Sequence, residues 1–96
     1  MFVGVARFEI FLLSQPHSLK EKRSIVNRLK AAIRNKLQLS VAEVAEQEVW
    51  QRTVLGVVSV SPQQVMARKM LEDAGRVLEG HPDIEITTEE IDVESW

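Results

Sequence analysis

The chain has 96 residues, is 45% apolar and 27% charged, and carries a net charge of −2; this suffices for one modest hydrophobic core and is too apolar for a disordered chain. It contains no cysteine, which excludes disulfide scaffolds, thiol nucleophiles and cysteine-ligated zinc, and fits a reducing compartment. The opening run MFVGVARFEIFLL is broken by Arg7 and Glu9, so it lacks the core of a signal peptide, and no segment reaches a membrane-spanning length; a soluble cytoplasmic protein without a membrane partner is expected.

Residues 2–13 alternate, with Phe2, Gly4, Ala6, Phe8, Ile10 and Leu12 on one face and a partly apolar second face, which predicts a strand covered on one side. Gln15 and Pro16 end it. Ser18 stands three residues before Glu21, the spacing of a capping box. Leu19, Val26, Leu29, Ile33 and Leu37 then recur at helical spacing, predicting a first helix from about Leu19 to Leu37. LQLSVAEVAE and the valine-rich RTVLGVVSVS read as strands near 39–45 and 52–60, joined by the long hairpin EQEVWQR. Ser61-Pro62 predicts a second helix with Ser61 as its cap and Pro62 at its first position. Met66, Ala67, Met70, Leu71, Ala74, Val77 and Leu78 share one face of it up to Gly80, and DIEITTEEIDV is a last strand, expected to fray toward Trp96.

The order βαββαβ makes two right-handed βαβ units joined by a hairpin, so one α+β domain over residues 1–96 is expected. Its form is a ferredoxin-like sandwich, with a four-stranded antiparallel sheet in the order 4-1-3-2 and both helices on one face. That topology brings three distant segments, residues 14–23, 43–52 and 79–83, to the same end of the fold.

Charge is polarised along the chain. Between His17 and Leu37 lie Lys20, Lys22, Arg23, Arg28, Lys30, Arg34 and Lys36 against Glu21 alone, whereas seven acids and no Lys or Arg follow from Glu79 to Trp96. Lys20, Arg23, Asn27, Lys30 and Arg34 are spaced to form one polar stripe, with Arg28 on the far side. Such a stripe serves either as a phosphate-tracking edge helped by free helix N-terminal amides, or as a solvated face whose stems cover the sheet edge. Cations at a helix N-terminus oppose its dipole, so Lys20, Lys22 and Arg23 are not explained by helix stability. The candidate anion- or RNA-binding set is therefore Lys20, Lys22, Arg23, Lys30 and Arg34, joined by Trp50 and Arg52 of the hairpin. Trp50 serves either as a stacking platform or as a plug over the core.

A second candidate is a ligand site at the same end, formed by His17, Glu43 and Gln51, with Arg52 nearby. No metal-binding spacing, nucleophile elbow, phosphate loop or dinucleotide fingerprint accompanies it, so no metal, cofactor or catalytic residue is assigned and the chain reads more as a binding protein than as an enzyme. The aromatic pair of an RNA-recognition sheet is missing from the third strand.

The run HSLKEKRSIVNRLKAAIRNK, with SVAEV and WQRTVLGVVSV, resembles the YlxP-like family of small bacterial proteins, a domain of unknown function. The family's Ser-Leu-Lys-Glu-Lys-Arg corresponds to Ser18 through Arg23, its Ser-Val-Ala-Glu-Val to Ser40 through Val44, and its Trp-Gln-Arg to Trp50 through Arg52. The resemblance implies a ferredoxin-like fold. It also implies a link to RNA or the ribosome, because such proteins are often encoded beside translation and ribosome-maturation factors; it carries no catalytic residue across. A binding domain for RNA or a ribosomal component is the first expectation. A protein-interaction module or homo-oligomer using open sheet edges is the second, and a small ligand-binding or enzymatic site the third.

Overall fold

The computed structural model describes every residue from Met1 to Trp96, in the order β1 (Phe2–Leu12), α1 (Leu19–Leu37), β2 (Ser40–Ala45), β3 (Arg52–Ser61), α2 (Gln64–Glu79) and β4 (Ile84–Ser95). The strands form one antiparallel sheet in the order β2-β3-β1-β4, the ferredoxin-like arrangement expected from two βαβ units. Alternation decides which face is covered. Ala6, Phe8, Ile10 and Leu12 of β1 and Leu55 and Val57 of β3 meet Ile25, Val26, Leu29 and Ile33 of α1 and Leu71, Ala74 and Leu78 of α2 in one core. Both helices therefore share one face, α1 over β2 and α2 over β1, β3 and β4.

Gly4 allows the close approach of α2: a methyl group there would lie 2.7 Å from Leu71 Cδ1 and 3.1 Å from the Ala67 carbonyl oxygen. The same carbonyl accepts the Ser59 hydroxyl at 2.7 Å, tying β3 to α2.

Two element ends differ from expectation. Helix α2 starts at Gln64, not at Pro62, and its N-cap residue Gln63 makes no side-chain cap bond. Ser61 is held in register opposite Phe2 as the last residue of β3, so its hydroxyl accepts only the Gln63 N–H at 3.1 Å, closing a turn instead of capping the helix. At the other end β4 does not fray: it stays paired through Ser95, and the Trp96 N–H reaches the Met1 carbonyl at 2.7 Å.

Candidate nucleic-acid interface and its support

The three segments brought together by the topology are tied down, two of them to the end of β1. The Leu12 N–H donates to the Gln51 carbonyl at 2.8 Å and the Leu13 N–H to the Asp83 carbonyl at 2.7 Å. The third connection is Lys22, which is expected among the anion-binding cations and is instead 1% exposed. Its ammonium donates to the carbonyls of Glu46 and, at 3.2 Å, Gln47, and lies 3.1 Å from Glu43 Oε2. The same carboxylate oxygen accepts the buried Thr53 hydroxyl at 2.5 Å. Three N–H groups meet three acceptors, so the charge is paired and bonded inside the protein and none of it is left for a phosphate.

This corrects two assignments together. Lys22 leaves the anion-binding set, and Glu43, engaged by Lys22 and Thr53, leaves the ligand site expected with His17 and Gln51. Those two side chains are exposed, and their elements are anchored through the backbone, where the His17 N–H donates to Glu21 at 2.6 Å and the Gln51 carbonyl accepts from Leu12. No three His, Asp or Glu side chains are grouped to hold a metal ion. A sequence signal for Lys22 existed: in the series 19, 22, 26, 29, 33 it fills the slot between Leu19 and Val26 on the apolar stripe, so its stem had to point inward.

The N-terminus of α1 is closed as well. Ser18 Oγ accepts the Glu21 N–H at 3.1 Å, and the Glu21 carboxylate reaches back to the N–H of His17, one residue beyond the usual reciprocal partner. One helix amide is thus capped by the Ser18 hydroxyl and the first turn carries the negative charge of Glu21, so the cations are offered to an external anion by side chains.

The remaining cations are outward. Lys20, Arg23, Ser24, Asn27, Arg28 and Ala31 line a shallow depression on the exposed surface of α1. Arg28, expected on the far side of the stripe, borders the same depression as Lys20 and Arg23. Lys30 is half-buried, and Arg34 leans to the sheet edge, where it donates to the Val41 carbonyl at 3.2 Å. None of Lys20, Arg23, Arg28, Lys30, Arg34 or Lys36 pairs with a carboxylate. On α2, by contrast, Asp73 pairs with both Lys69 (3.1 Å) and Arg76 (2.6 Å). The acids of β4 cannot neutralise α1, because β4 and β2 are opposite edges of the sheet and α1 packs over β2. Trp50 is 46% exposed in the hairpin, hence not a core plug, and the Arg52 guanidinium sits 5.8 Å from the centre of the Phe11 ring, within cation–π range.

Comparison with known proteins agrees with the sequence motifs. The model of a family described as "Protein of unknown function (DUF503)" matches residues 3–91. The uncharacterized protein YlxP of Bacillus subtilis is 34% identical over 85 residues, spanning 88% of this chain and 91% of its own. Among solved structures, a point mutant of SnoaB, a cofactor-independent oxygenase from Streptomyces nogalater, is similar over 97% of this chain and 92% of its own, at 14% identity and a TM-score of 0.45. An overlap that loose carries no argument about chemistry.

Proposed function

We propose, for a chain that belongs to the DUF503 family of proteins of unknown function, a role as a non-enzymatic binding domain that holds structured RNA on the outward face of α1. The supporting observation is the set of six α1 cations without a carboxylate partner, at the sheet edge opposite the acidic strand. Lys20, Arg23 and Arg28 around the depression would contact phosphate oxygens, the two arginines through their planar, multidentate N–H donors. Lys30 and Arg34 extend the track toward β2, while Trp50 and Arg52 offer an exposed ring and a cation at the hairpin end. Binding of this kind is driven by release of counterions and is not tied to one sequence.

The test is a titration of fluorescent ribosomal RNA fragments at several salt concentrations. The expected result is binding that weakens linearly on a log–log salt plot, with Arg23→Glu plus Arg28→Glu lowering affinity at least about tenfold and flattening the slope by roughly 0.7 to 0.9 per lost contact. Absence of binding, or binding indifferent to the double reversal, overturns the reading.

A further inference from the structure

We infer that the outer face of the sheet, the side away from both helices, is the contact surface between two copies of this chain. Register places Val3 beside Val60 and Val5 beside Val58 on that face, and the Val44 side chain lies over Gly56 next to them. These residues are turned to solvent: Val5 is 51% exposed, Val44 52%, Val58 41% and Val60 55%, and Trp96 at the same end is 76% exposed. The fold does not require valine there, since a strand's water-facing positions are satisfied by threonine or charged residues. A continuous apolar strip across the two central strands marks a surface that is covered in use.

Area, symmetry and charge identify the cover. Three strands of 10 to 12 residues and the six-residue β2 give a face of roughly 600 Å². That is on the order of the ~800 Å² per partner buried in a stable complex. Stacked sheets align within about 30°, and a closed pair needs a two-fold axis. An axis across the strands would lay β4 on β4, bringing together Glu90, Asp92 and Glu94 of both copies. An axis along the strands lays β1 of one copy on β3 of the other, valine on valine, and carries the acidic β4 to the partner's β2 edge, which presents Ser40, Ala42 and Val44 and no acid on that face. Charge therefore selects the second arrangement. Two cations stand on the face: Arg7 is already paired with Glu9 (3.2 Å) and Glu90 (3.9 Å), and Arg52 lies beside the Phe11 ring at the end away from Val3 and Val60. The acids of β4 disfavour RNA on this side and also blunt β4 as a pairing edge, which separates this contact from edge-to-edge assembly.

The experiment is sedimentation equilibrium of the full chain up to about 100 µM, where mass action favours the associated form. A mass twice the 10.9 kDa of the chain is expected, and Val5→Lys with Val58→Lys should weaken association at least about tenfold while circular dichroism stays native. Should that double variant fail to fold, Val60→Lys with Trp96→Ala, both more than half exposed, carries the same expectation. Arg23→Glu with Arg28→Glu should leave the dimer intact. A monomer throughout the range, or a dimer that survives the valine substitutions with its fold intact, overturns the inference.

Discussion

Lys22 shows how one residue can look like a ligand contact and act as a fastening. Its stem lies among Ile25, Val26 and Leu29 on the buried stripe of α1, and its ammonium holds β2 through Glu43 and the hairpin through two carbonyls. One of these carbonyls belongs to Glu46, whose φ of 64° lies in the left-handed region; the bond from Lys22 offsets a conformation that non-glycine residues adopt at a cost of about 1–2 kcal/mol. Truncation to Lys22→Met keeps the stem and removes every bond at once, leaving a largely buried carboxylate with only Thr53. Loss of about 3–5 kcal/mol is expected by urea denaturation, against less than about 0.5 kcal/mol for the exposed Arg23→Met. A double-mutant cycle of Lys22→Met with Glu43→Gln should return a coupling of about 1–3 kcal/mol. Amide exchange in residues 46–51 should accelerate in the single variant, because the hairpin loses its tie to α1.

At the scale of the element, α1 carries two requirements in conflict. Ser18 and Glu21 close its N-terminus in the way that stabilises a helix, and Ser18→Ala should lower stability by about 1 kcal/mol in chemical denaturation. Lys20 and Arg23, in the same first turns, oppose the dipole. Reversing them to Lys20→Glu and Arg23→Glu should therefore raise stability by about 0.3–1 kcal/mol each at low ionic strength, and the gain should shrink with added salt. On the proposed function the same reversal weakens RNA binding. A variant that is more stable and binds less separates a functional role for these cations from a structural one, whereas a variant that is less stable would show them to be part of the fold. In helix α2 two of the three cations, Lys69 and Arg76, are matched by Asp73, and its limits are steric. Gly4→Ala pushes a methyl group against Leu71 and the Ala67 carbonyl, and about 1–3 kcal/mol of stability should be lost on thermal or urea unfolding.

For the whole molecule, alternation, helical spacing and the handedness of βαβ crossovers were enough to read four strands, two helices and their order, because every signal but that of the six-residue β2 repeats over ten or more residues and few topologies satisfy all of them. Single residues with two competing roles were harder to read. Lys22 sits in a run of cations and reads as solvated until the apolar slot it fills is noticed; Ser61 reads as a cap until the length of β3 is known; Glu43 gains its partners only from segments far apart in sequence. The same topology puts the α1 cations on the helical face and the valine strip on the bare face of the sheet, where Arg52 stands beside Phe11 at the end away from Val3 and Val60. A face-to-face pair would leave both α1 helices outward, each with a complete set of cations. The two surfaces should then be energetically independent. A short RNA that covers one helix should bind one per chain, two per dimer, by native mass spectrometry. The monomeric valine variant should keep the affinity of each chain within about twofold, as expected for distant sites that share no partner. If breaking the pair instead abolishes binding of the short RNA, the site spans both copies and α1 alone is not the RNA surface.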